Sequence, residues 1–140
     1  MGSALSFSFS GTAGALREAI RLEPDFAGAH TTLAGVLRAL GDVDGAAVEA
    51  GAGATIAKQT TDMQAAVFAT NSGKRLLNAG DVDGAISQFR VAVAARPNYA
   101  PGHFQLGQAL KRKGAAFAEE AERELKRAGE LDARLGMATK

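Results

Sequence analysis

A chain of 140 residues with a net charge of +1 and no cysteine excludes several classes at once. It has the size of one domain. It has no field to drive nucleic-acid or membrane binding, and it forms neither disulfides nor thiolate sites. Hydrophobic residues make up 46% of it but aromatics only 6%, so alanine carries much of the apolar content. Alanine is the best helix former, and an all-α chain is expected. No apolar run approaches the roughly 18–20 residues of a membrane span.

Residues 1–9 lack the basic start and long apolar run of a signal peptide. They read as a poorly ordered leader, and no compartment follows from them. A single domain is expected over 10–132. It opens with a lone helix at 10–22, capped by Ser10 or Thr12. Helices at 27–40 and about 44–59 make a first pair. Helices at about 62–79 and 83–95 make a second, within 62–96. Helices at 100–113 and about 117–129 make a third, within 100–130. Residues 133–140 are a tail. The lone opening helix lacks a partner, which points to a chain cut from a longer protein.

The pairs come from an internal repeat. GDVDGA stands at 41–46 and again at 80–85, so the two leading glycines are 39 residues apart, and Gly114 follows 34 residues later. Aligned on these glycines, His30 matches Ala69 and His103, and Leu33 matches Ser72 and Leu106. Ala34 matches Gly73 and Gly107, and Leu37 matches Leu76 and Leu110. Spacings of three and four put these positions on one helical face. Pro24 and Pro97 end the helices before two of the pairs. The five extra residues of the first interval fall at 47–65, where Gly51 and Gly53 each weaken a helix by about 1 kcal/mol. Thr61 or Asp62 is a good cap for restarting a helix before Met63, so longer helices with a changed angle are expected there.

This pattern resembles the tetratricopeptide repeat family. That family carries a large residue, then Leu-Gly, then a bulky residue on the first helix of a pair, with Ala-x-x-x-Phe on the second and a proline after it. Here the third unit gives His103, Leu106-Gly107 and Leu110. The second gives Gly73, Leu76, Ala85, Phe89 and Pro97. The first gives His30, Leu33-Ala34, Leu37 and Ala46, but Ala50 stands where the phenylalanine belongs. After Gly114 the match is shifted by about two residues. The resemblance implies a right-handed superhelical array of antiparallel pairs, an α-solenoid, with about three full pairs. Small residues such as Gly73 and Gly107 then sit where paired helices cross.

Candidate sites for chemistry are weak. A calcium loop needs glutamate at its twelfth place, but Gly53 and Ala92 stand there. The aspartates therefore read as helix caps. AGAGA at 50–54 has no strand before it and no Gly-Lys-Ser/Thr, so it is not a phosphate loop. His30 and His103 lie two repeats apart and read as packing residues. No nucleophile–base spacing is present. The expectation is no enzyme, no metal and no cofactor.

A surface remains. The resemblance implies a concave groove lined by first helices, which binds a peptide or protein segment. Its candidates are Thr31, Gly35 and Arg38 on the first pair, and Thr70, Asn71, Lys74 and Asn78 on the second. Phe104, Gln108 and Lys111 complete it on the third. This mildly basic wall points to an acidic or carboxylate-ended partner. The alternative is self-association as a homodimer through the truncated ends of the array, with apolar surface around Leu16 and Ile20 on the unpartnered opening helix and no obvious polar capping helix at the C-terminus.

Overall fold

The computed structural model describes residues 3–137, with side chains from residue 8 onward; of the leader expected at 1–9 and the tail expected at 133–140, residues 1–2 and 138–140 lie outside the described residues. All the regular structure described is helical. The order is α1 (Ser3–Leu22), α2 (Ala27–Ala39), α3 (Val43–Asn78), α4 (Val82–Ala95), α5 (Ala100–Lys113), a 3-10 turn (Ala115–Phe117), α6 (Ala118–Leu131) and α7 (Ala133–Met137). Two compact units divide the chain, with the boundary between Thr60 and Thr61 inside α3. That boundary falls inside the single domain expected over 10–132.

Three boundaries differ from the sequence reading. Helix α1 starts at Ser3 rather than at residue 10. The Thr12 hydroxyl donates to the Ser8 carbonyl at 3.0 Å, which fixes Thr12 inside a helix and not at its cap. Helix α3 runs unbroken for 36 residues through the expected restart at Thr61. There the Thr60 hydroxyl donates to the Ile56 carbonyl at 3.0 Å, an arrangement of helix interiors. With no proline or glycine nearby, nothing forces a break. Third, the expected tail at 133–137 is the short helix α7, whose start Asp132 caps by accepting from the Arg134 amide at 3.1 Å. The guanidinium of Arg134 hydrogen-bonds the same carboxyl and holds its pKa below the usual range.

GDVDGA is a helix-ending turn joined to a helix start. Gly41 and Gly80 adopt φ of 86° and 89°, a left-handed conformation that side chains resist. Their amides close the preceding helix on the Arg38 and Leu77 carbonyls at 3.1 Å. The first aspartate then caps the next helix: Asp42 and Asp81 accept from the amides of Gly45 and Gly84, each at 2.9 Å. A Cβ on Gly45 or Gly84 would run into that carboxylate, so the second glycine makes room for the cap. The second aspartate differs between copies, and Asp83 meets Lys113 at 2.8 Å. Gly80→Ala is expected to cost about 1–2 kcal/mol from the left-handed backbone alone, since open space surrounds the site. Gly80→Asn should cost less, because asparagine tolerates that conformation. Urea unfolding of the two variants separates the cases.

In unit 1, Ala13 of α1, Leu33, Val36 and Leu37 of α2, and Ala46 of α3 form one buried cluster. Leu16 and Ile20 pack against it and are partly buried. Phe9 and Leu22 of α1 and Phe26 after it are exposed apolar residues of this end. In unit 2, α4, α5 and α6 share a core of Ala85, Ile86, Phe89, Leu106, Ala109, Leu110 and Ala121, which Leu76 and Leu77 of α3 flank. Ala66 and Ala69 of α3 pack with Ala92 of α4 in a second cluster.

Candidate interaction surface

The walls of any binding surface are set by how closely the paired helices approach. In unit 2, a Cβ placed on Gly73 of α3 would collide with the ring of Phe89 on α4. One placed on Gly107 of α5 would fall 2.6 Å from Leu125 Cγ and 3.1 Å from the Ala121 carbonyl of α6. In unit 1 the matching place is Ala34, buried at 3%, opposite the buried Ala46. Small first-helix residues against second helices that begin with a buried alanine thus recur, with the large residue four on present in unit 2 (Phe89, Leu125) and replaced by Ala50 in unit 1. The helix pairs are tetratricopeptide-like.

The two-residue shift in the third pair has a physical cause. The 3-10 turn after Gly114 delays α6, so Ala121 and Leu125 take the places held by Ala85 and Phe89. Gly53 also has a packing role that its helix-weakening character hid. It occupies the place of the buried Ala92 and Ala128, and a Cβ there would meet Thr31 Oγ1 at 2.8 Å and the Ala27 carbonyl at 3.2 Å.

No known family profile matches the chain, and no curated protein matches it. Among solved structures the chain is similar to one named "MamA MSR-1 C2", with a TM-score of 0.45 and 24% identity, over 91% of this chain and 69% of that one. It is also similar to one named "Crystal structure of MamA", with a TM-score of 0.45 and 16% identity, over 92% of this chain and 91% of that one.

The groove candidates fall into three groups. In unit 1, Thr31, Gly35 and Arg38 are exposed along α2. In unit 2, Asn71, Lys74 and Asn78 are exposed on α3, while Phe104 and Gln108 of α5 are half-buried and Lys111 is exposed. Thr70 is the exception. It is 3% exposed, its hydroxyl lacks a partner, and it offers nothing to a ligand. Its neighbour Ala69 belongs to the buried alanine cluster, and that packing takes Thr70 inward.

Two concave features escaped the sequence reading. A cavity of about 650 Å³ lies in unit 2 between α5, α6 and α7, lined by Lys111, Glu122, Leu125, Lys126, Met137 and neighbours. It exists because Gly129 and Gly136 let α7 pack closely on α6, a contact that five residues of sequence could not announce. A smaller hollow of about 410 Å³ lies between Phe68, Ser72, Arg75 and Leu76 of α3 and Gln88 of α4. Phe68 stands 68% exposed at its edge.

Cations differ in their availability. Lys113 pairs with Asp83 at 2.8 Å and stands 4.6 Å over the Phe117 ring. Arg90 pairs with Glu120 at 2.5 Å, which lifts the guanidinium pKa and lowers that of the carboxyl. Lys74 and Lys111 have no ion-pair partner among the described residues.

The histidines are packing residues with a definite bonding pattern. His30 Nδ1 lies 2.6 Å from Glu49 Oε2 on α3, and its Nε2 lies 2.9 Å from the Pro24 carbonyl. His103 repeats the pattern with Glu124 of α6 at 2.6 Å and the Pro97 carbonyl at 2.7 Å. For His30, the hydrogen bond to Glu49 first and that to Pro24 second raise its pKa above the ordinary histidine range. Among the described residues, no group of three or more His, Asp or Glu is placed to hold a metal, and no helix is long and apolar enough to cross a membrane.

Proposed function

We propose that the chain is a non-catalytic interaction scaffold that holds an acidic or carboxylate-ended peptide segment against its first helices. The observation that carries this reading is that both lysines of the first-helix stripe in unit 2 are exposed and in no ion pair among the described residues. Lys74 on α3 and Lys111 on α5 are exposed and unpaired among the described residues, while Arg90 and Lys113 are occupied in tying helices together. Charges that do no work inside the fold are available to a partner, and rim charges set partner choice and on-rate.

The neighbouring side chains fit such a ligand. Asn71 and Asn78 offer amides that both donate and accept, which suits an extended backbone. Phe104 and Gln108 supply a half-buried apolar and polar floor. Thr31, Gly35 and Arg38 give α2 of unit 1 the corresponding stripe, again polar and basic.

The test is a titration of one acidic and one neutral peptide of equal length against wild type and Lys74→Glu. The acidic peptide should bind wild type more tightly, and the charge reversal should weaken it by about tenfold, or 1.4 kcal/mol, with little effect on the neutral peptide. Raised salt should narrow the difference. Equal binding of both peptides, unmoved by the reversal, removes the charge argument.

A further inference from the structure

We infer that unit 1 carries a proton-operated staple, Pro24–His30–Glu49: a histidine that ties together the proline turn, the first helix and the second helix of one pair, and that releases when it loses its proton. In unit 2, Pro97–His103–Glu124 repeats the bonding pattern.

The chemistry follows from the two partners. A carboxylate and a backbone carbonyl both accept hydrogen bonds and donate none. A neutral imidazole has one N–H, so it satisfies one of them and turns a lone pair toward the other. Only the imidazolium donates to both. Each ring is nearly enclosed, with its side chain 10% exposed for His30 and 12% for His103. Water therefore does little to replace a lost bond, and the histidine side chain is the one residue type whose ordinary titration falls at such pH.

The repeat supplies an internal control. Helices α2 and α5 each start afresh after a proline turn, and neither Phe26 nor Tyr99 makes a side-chain cap bond at that start. The histidine four residues on reaches back to the turn and holds it. In the middle repeat the first helix has no separate start, because it is the continuation of α3. There Ala69 stands in the histidine place, Gln88 in the glutamate place and Met63 in the proline place. Where no turn needs holding, all three parts of the staple are missing.

The surroundings are unequal. Around His30 the facing charges are Glu49 on α3 and Asp25 in the turn, both acidic. Around His103 they are Glu124 on α6 and, beyond it, Arg90 on α4, which also faces Glu124. Arg127 of α6 reaches the same turn through Asn98 at 3.3 Å. For His30 the sign is definite. A folded-state pKa above the unfolded value gives stability that is complete below the unfolded pKa of about 6.5 and is lost as pH rises through the raised value.

Amide hydrogen exchange tests this without assuming that any variant folds. The reporters are the amides of Ala29 and His30, which donate to Phe26. The references are Ala69 and Thr70, inside α3. After correction for intrinsic base catalysis, protection at Ala29 and His30 should fall severalfold between pH 6 and pH 9, as the raised His30 pKa requires. Ala69 and Thr70 should hold. His30→Gln and Glu49→Gln should lower protection at pH 6 around Ala29 and flatten its pH dependence. Protection at Ala29 and His30 that is independent of pH in wild type, or an equal loss at Ala69, overturns the staple.

Discussion

Phe89→Ala is expected to cost about 3–5 kcal/mol, the range for emptying a buried aromatic site. Phe89 is wholly buried and lies in the core that α4, α5 and α6 share. The ring also fills the space that Gly73 leaves open on α3. Its removal therefore opens a void on two sides, and helices fixed by neighbouring pairs collapse only partly into it. A domain of this kind has about 5–15 kcal/mol in all, so the variant should be marginal at room temperature. The sole tyrosine, Tyr99, packs in unit 2. Its fluorescence through a urea titration reads the loss where it occurs. A cost below 1 kcal/mol would mean that the ring does not fill this crossing.

Gly107→Ala sets two effects of opposite sign against each other. Replacing a mid-helix glycine by alanine gains about 1 kcal/mol of helix propensity. Here the new methyl would lie 2.6 Å from Leu125 Cγ, with the Ala121 carbonyl at 3.1 Å behind it. Leu125 is buried and the carbonyl is backbone, so neither yields cheaply. Overpacking of a filled core costs about 1–3 kcal/mol, and with both neighbours fixed the clash should win by up to about 2 kcal/mol after the propensity gain is subtracted. Gly35→Ala is the matched comparison. Gly35 is exposed, and a Cβ there meets nothing within 4 Å, so the propensity gain stands alone. Thermal unfolding should move down for Gly107→Ala and up for Gly35→Ala. The same sign in both would show that helix approach at Gly107 is looser than its contacts indicate.

The repeat was readable because it is written in residue types with one physical job each. A left-handed turn demands Gly41 and Gly80, a cap demands Asp42 and Asp81, and a close crossing demands Gly73 and Gly107. Their spacing identified the pairs, and the two-residue delay after Gly114 was visible as a displaced match. The fused helix was not readable in the same way. Gly51, Gly53, Thr61 and Asp62 each favour a break by local propensity, yet packing uses Gly53 as a small residue against α2, and Thr60 bonds back into the helix. Tertiary contact overrode a preference of about 1 kcal/mol per residue.

The surface was legible in part. Spacing picked out side chains on α2, α3 and α5 of which most are exposed, but spacing alone did not reveal that Thr70 is buried. Nor did it reveal the cavity beside Lys126 and Met137, which depends on α7 meeting α6 through two glycines. The histidines were placed correctly as packing residues. Their partners Glu49 and Glu124 were missed, although both stand at the same repeat position once the delay after Gly114 is allowed for.

The scaffold reading is tested most directly by mapping where a short acidic peptide perturbs the backbone amide resonances of the isotope-labelled protein. The account predicts that the largest changes cluster at Asn71, Lys74 and Asn78 on α3 and at Phe104, Gln108 and Lys111 on α5, and that they fade in Lys74→Glu. Changes centred instead on Phe68 and Arg75, or on Lys126 and Met137, with Asn71 and Lys74 unmoved, would contradict it.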